Sequence, residues 1–124
     1  MPRVRRSHQC AVDDAQRLWV VGGASFSTTN VQANQVAVDR YDAASGMWAG
    51  AVTELPFGRR LSFGMVWTAQ RLYMAGGDVD GTVSARLDSY HPASNVWHTS
   101  HASLPRARKG HAMAQVAACL YVVG

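Results

Sequence analysis

No apolar run in the sequence approaches the ~20 residues that a helical membrane span requires, so no membrane association is expected. Charge is also scarce. Charged residues make up 16% of the chain against 48% apolar ones, the reverse of what keeps a chain disordered. Acidic side chains are the rarer sign, eight against twelve Lys and Arg, for a net charge of +4. That balance alone would admit a nucleic-acid partner. The basic residues, however, lack the interleaved aromatics on which single-stranded bases stack, and no such partner is expected. The two cysteines, Cys10 and Cys119, offer neither a disulfide framework nor metal-ligand spacing. Each lies in an apolar stretch and reads as a small buried hydrophobe, which suits a reducing compartment. Arg3, Arg5 and Arg6 lead into no apolar segment, unlike the start of a secretory signal. The expected location is cytoplasmic.

Catalytic signatures are missing as well. There is no Gly-rich phosphate loop, no Ser nucleophile elbow and no Cys/His pair. His91, His98 and His101 form the only close histidine cluster, at a spacing that matches no common zinc motif. Strand alternation would separate His98 from His101, so this cluster reads as a solvated edge. Asp78, Asp80 and Gly81 resemble the start of a calcium loop whose remaining ligands are absent. No metal and no cofactor are expected, and the chain is expected not to be an enzyme.

What the sequence does have is an internal repeat. Met1-Pro2-Arg3-Val4-Arg5-Arg6-Ser7-His8 returns as Leu104-Pro105-Arg106-Ala107-Arg108-Lys109-Gly110-His111. A middle copy, Leu55-Pro56-Phe57-Gly58-Arg59-Arg60-Leu61-Ser62, keeps the Pro and the basic pair. Ala15-Gln16-Arg17-Leu18-Trp19-Val20-Val21-Gly22-Gly23 is matched by Ala69-Gln70-Arg71-Leu72-Tyr73-Met74-Ala75-Gly76-Gly77, and Leu120-Tyr121-Val122-Val123-Gly124 begins a third copy. Tyr41 and Trp48 recur as Tyr90 and Trp97, both 49 residues on, whereas Gly22 to Gly76 spans 54. The five extra residues therefore fall in one loop, between the Gly pair and the Tyr.

This ordered set resembles the kelch repeat, whose period is about 50 residues, and the resemblance covers essentially the whole chain. It implies an all-β fold, a partial kelch β-propeller whose four-stranded antiparallel blades form an open arc. Repeat 1 would occupy residues 1–54, repeat 2 residues 55–103, and a truncated repeat 3 residues 104–124. In the second repeat the strands are expected over 63–68, 71–75, 85–90 and 96–100; tight hairpin turns are expected at 43–46 in the first repeat and 92–95 in the second. Gly22, Gly23, Gly76 and Gly77 would end strands where another segment passes closely. Tyr41, Tyr90, Trp48 and Trp97 would pack one blade onto the next, and the repeat-equivalent His8 and His111 read as structural. A propeller has 4–8 blades, so further blades are expected, either absent from this chain or supplied by self-association.

Antiparallel alternation places the turn entering each blade and the loop after its second strand at one end. Eight of the twelve basic residues lie in those turns: Arg3, Arg5, Arg6, Arg59, Arg60, Arg106, Arg108 and Lys109. The loops 24–35 and 78–84 share that end and are where the copies differ most, as recognition loops on a rigid scaffold do. Arg59 and its equivalents Arg5 and Arg108 can be read as bonding carbonyls between blades. The second basic residues, Arg6, Arg60 and Lys109, are then the partner-binding candidates, together with Ser27, Thr28, Thr29, Asn30, Asp78 and Asp80. Bidentate contacts to an acidic segment of another protein are the expected chemistry. The family implies a scaffold or a substrate-recruiting adaptor. Its alternatives are part of a galactose-oxidase-like or sialate-mutarotase-like propeller enzyme, or a truncated product without activity.

Overall fold

The computed structural model describes residues 1–26, 32–34 and 36–124. Its strands, in chain order, are β1 (Gln9–Val12), β2 (Arg17–Val21), β3 (Ala24–Phe26), β4 (Gln32–Asn34), β5 (Ala37–Asp42), β6 (Met47–Glu54), β7 (Arg60–Leu61) and β8 (Gly64–Thr68). They continue as β9 (Arg71–Ala75), β10 (Asp78–Val79), β11 (Thr82–Val83), β12 (Leu87–His91), β13 (Val96–His98), β14 (Ala112–Val116) and β15 (Cys119–Val123). No helix occurs among the described residues, hence none long and apolar enough to cross a membrane.

All pairings are antiparallel and no sheet closes on itself. The first sheet runs β1-β2-β5-β6 and the second runs β8-β9-β12-β13, the same order of strands built twice. A β14-β15 hairpin follows, with the register of the opening hairpin of each larger sheet. The strands expected in the second copy coincide with β8, β9, β12 and β13 to within about two residues at their ends, the usual uncertainty of strand limits. Local chemistry accounts for the turns. Ala69 and Gln70, the two residues between β8 and β9, both have positive φ, 48° and 60°, as the tight hairpin turn that matches strand twist requires. In the turn after β5, Asp42 Oδ1 accepts the Ala44 N–H at 2.9 Å, an Asx turn that competes successfully with continued strand pairing.

The core lies between the two large sheets. Trp19, Val21 and Val38 of the first meet Met65, Leu72, Met74 and Tyr90 of the second, with Leu55 and Phe63 from the connection between them. Burying a side chain of this size stabilises by about 1.5–3 kcal/mol. Trp19 and Tyr90 meet edge to face with centroids 6.0 Å apart, and the Trp97 indole N–H crosses to Thr53 Oγ1 at 3.1 Å.

The two loops expected to vary most carry short ribbons of their own. β3 pairs with β4, and β10 pairs with both β11 and β7. The β7-β10 pairing and the Arg6–Ala24 bridge tie each entering turn to the loop after the second strand, so both do share one end of the molecule.

Candidate functional site

The entering turns are organised around an arginine, which the structure buries in the first two. Arg5 donates to the carbonyls of Gly22 and Ala37 at 3.0 and 3.1 Å and pairs with the Asp39 carboxylate. Arg60 donates to the carbonyls of Gly76 at 2.7 Å and Arg86 at 3.0 Å, and to Asp88 Oδ2 at 2.8 Å. Arg108 donates to the Gly124 carbonyl at 3.1 Å. Burial lowers the pKa of both Arg5 and Arg60, opposed by the negative charges of Asp39 and Asp88. These three arginines are therefore the equivalent set, and Arg60 belongs with Arg5 and Arg108 rather than with Arg6 and Lys109.

This corrects the sequence reading, in which Arg60 was a partner-binding candidate; it is 4% exposed. The middle turn holds one additional residue, Gly58 sitting at φ +78°, so counting from Leu55 slips the register by one. Downstream, Ser7, Ser62 and Gly110 share the left-handed conformation (φ 56°, 51° and 69°), and His8, Phe63 and His111 each follow directly.

The Gly pairs receive these turns. A Cβ on Gly22 would stand 2.5 Å from the Arg60 carbonyl oxygen, and one on Gly76 would stand 2.5 Å from that of Arg108. Gly23 and Gly77 donate their N–H groups to the same two oxygens at 2.9 and 2.7 Å. Strand ends and entering turns thus approach main chain to main chain, which only a residue without a side chain permits. Tyr41 lies opposite Trp48, and Tyr90 opposite Trp97, as cross-strand pairs with centroids 5.1 and 4.9 Å apart.

His111 accepts the Gly64 N–H on Nε2 at 3.2 Å. Burial lowers its pKa, with the charges of Arg108 and Arg60 adding to the effect. Burial likewise lowers that of His8, helped by Arg5. Both rings are packing elements at the position Phe63 fills in the middle copy. The rings of His98 and His101 are not split apart: their centroids lie 6.3 Å from each other, and His101 Nε2 is 2.9 Å from Ser89 Oγ. His101 lies beyond the end of β13, where alternation no longer applies. Among the described residues no group of three His, Cys, Asp or Glu could hold a metal ion. Both cysteines are exposed, contrary to the sequence reading. Cys10 occupies the register position of Met65, which the first sheet covers; no described residue covers Cys10 in that way.

At the turn end, Arg6, Arg106 and Lys109 are exposed. The structure brings Lys109 and Asp78 together, Nζ to Oδ2 at 3.6 Å, with 53% of the lysine side chain still exposed. Asp80 Oδ1 accepts the Arg59 N–H at 3.2 Å, and Asp78 Oδ1 accepts the Gly81 N–H at 2.7 Å. Asp78 and Asp80 thus shape their own loop as well as lining the end. Ser27, Thr28, Thr29 and Asn30 lie outside the described residues. The structure adds side chains that sequence reasoning missed. Val4, Phe57 and Val83 stand 85%, 42% and 41% exposed at this end, and the Arg86 guanidinium stacks 3.7 Å from the centroid of the Phe57 ring. The signal for Phe57 was its place in the Leu-Pro turn, where the other two copies have arginine.

No family model and no curated protein matches the sequence. Among solved structures, one described as "Structure of YjhT" is similar over 98% of this chain, with a TM-score of 0.77 and 20% identity. The likeness is one of fold. The chain spans about a third of that structure's length, 34%.

Proposed function

We propose that the chain forms consecutive blades of a kelch-type β-propeller, with repeats over 1–54, 55–103 and 104–124, and that it serves as a protein–protein interaction module. The repeated strand order and the recurring arginine–aspartate pairs support the architecture. One observation carries the function: exposed Arg6, Arg106 and Lys109 share an end with exposed Val4, Phe57 and Val83. Cations that share an end with an exposed aromatic residue stacked on arginine form the kind of surface that anchors a partner. An acidic segment carrying one apolar side chain fits it, the carboxylates meeting the cations and the apolar group meeting Phe57.

Fluorescence polarisation with a labelled peptide of alternating Glu and Leu tests this. Binding is expected to weaken with salt, as contacts between exposed charges do, and to fall at least ~10-fold, the equivalent of about 1.4 kcal/mol, when Arg6, Arg106 and Lys109 are all changed to Glu. Phe57→Ala is expected to weaken it further at fixed salt. Binding that ignores both the charge reversals and Phe57→Ala would refute the proposal.

A further inference from the structure

The third copy buries little against the second. Within 104–124 the one buried residue is His111, 7% exposed, while Ala112, Ala114, Val116, Tyr121 and Val123 of its hairpin are all exposed. Segments with so few buried side chains are the first to open. The first joint is different, with Trp19, Val21, Met65, Leu72 and Met74 buried between two four-stranded sheets.

The His111 imidazole sits over two glycines of the second copy. A Cβ on Gly64 would stand 2.9 Å from Nε2, and one on Gly76 would stand 2.7 Å from Cε1. The Gly64 N–H points at Nε2 from 3.2 Å. A backbone N–H can only donate, so Nε2 accepts and the neutral ring carries its proton on Nδ1. A second proton would go to Nε2 and set two donors face to face.

The charges around the ring discourage that proton. Arg108 of its own turn and Arg60 of the preceding turn are cations that add to burial in lowering its pKa, against a bond to the Ala75 carbonyl that raises it. The terminal carboxylate belongs to Gly124, whose oxygen Arg108 Nη1 already holds at 3.1 Å, and Lys109 is turned to Asp78. In the middle copy Phe63 fills the same position, lying against Gly22 as His111 lies against Gly76. A phenyl ring takes no proton.

We propose that the joint between the second and third copies is an acid-sensitive hinge, in which protonation of His111 frees the β14-β15 hairpin while the first joint stays closed. The closed form excludes a proton that the open form accepts. Closure is therefore favoured above the ordinary histidine value of about 6.5 and weakens as pH falls below it. Arg106 and Lys109 belong to the turn that His111 anchors, so acid would also withdraw them from a bound partner. That consequence rests on the function proposed above; the hinge itself does not.

Amide hydrogen exchange of the ¹⁵N-labelled full chain at pH 7 and pH 5, corrected for intrinsic rates, tests the hinge. The reporters are the Gly64 N–H and the Gly77 N–H, which donates to the Arg108 carbonyl at 2.7 Å. Their protection is expected to fall by ~5- to ~25-fold, the upper figure being the ceiling for one histidine that titrates near 6.5 only when open. The Trp97 indole N–H, bonded to Thr53 across the first joint, is expected to change by less than ~2-fold, since no proton is taken up there. His111→Phe installs the ring that the middle copy uses, and His111→Gln keeps an acceptor for Gly64 at any pH. Both are expected to flatten the pH dependence, with circular dichroism checking the fold; the comparison of the two joints needs no variant. Unchanged protection at Gly64 and Gly77, an equal loss at both joints, or a pH dependence that survives both substitutions would overturn the proposal.

Discussion

Arg59 and Arg60 are neighbours of the same type, and the structure predicts opposite consequences for losing them. Arg60→Ala removes the donor from the Gly76 and Arg86 carbonyls and from Asp88, whose side chain is 2% exposed. Breaking a buried ion pair from one side costs about 3–5 kcal/mol. The loss falls toward the lower end because Arg86 still holds Asp88 Oδ1 at 2.8 Å. Arg59→Ala keeps the backbone N–H that reaches Asp80 and is expected to cost at most about 1 kcal/mol, the scale of an outlying ion pair. Urea unfolding followed by tryptophan fluorescence separates the two, with the slope expected to be unchanged and the midpoint to move. In a double-mutant cycle, Asp88→Asn combined with Arg60→Ala should show a coupling above about 1 kcal/mol, as directly bonded residues do. If Arg59→Ala destabilises as much as Arg60→Ala, or if the cycle shows no coupling, the assignment of Arg60 to the buried set is wrong.

Other consequences can be measured on the same protein. His8 and His111 have lowered pKa values in the folded state, so the unfolded chain takes up more protons as pH falls below about 6.5. The melting temperature should therefore drop between pH 7 and pH 5, and His8→Gln with His111→Gln should flatten that drop; an unchanged slope would refute it. Gly76→Ala places a methyl 2.5 Å from the Arg108 carbonyl at φ +61° and should cost more than about 2 kcal/mol. Gly46→Ala, at a similar φ with nothing within 4 Å, should cost about 1 kcal/mol from backbone strain alone; equal losses would remove the steric argument. Both thiols should react with a disulfide reagent in the native protein, since both are exposed. A Cys10 that reacts only on unfolding would contradict the structure.

The repeat was legible because its marks are set by the backbone. The Gly pairs must be glycine where a carbonyl approaches within contact distance, and Tyr41 and Tyr90 keep fixed offsets to Trp48 and Trp97 because they are cross-strand partners. Strand limits followed from the same alternation. The arginine register was not legible, since one added residue in the turn before Arg60 leaves the basic pair intact while moving which member is buried. Only the carbonyls and aspartates that receive the guanidinium identify it, and these lie 14 to 34 residues away. Cys10 misled for a different reason. Its apolar surroundings are those of Met65, yet burial depends on a neighbouring sheet that local sequence does not encode.

The bonds joining successive turns are made wholly of main-chain atoms: Ser62 N to Ser7 O at 3.1 Å, Gly110 N to Ser62 O at 2.7 Å, and the two glycine N–H groups to Arg60 O and Arg108 O. Nothing in these links records which amino acids occupy the outer strands or the long loops. Mutation can rewrite those parts without disturbing the angle at which one copy follows the next. A gene segment encoding one copy could be duplicated and inserted with its joints already compatible, so such a chain can lengthen by whole units while its surfaces drift toward new tasks.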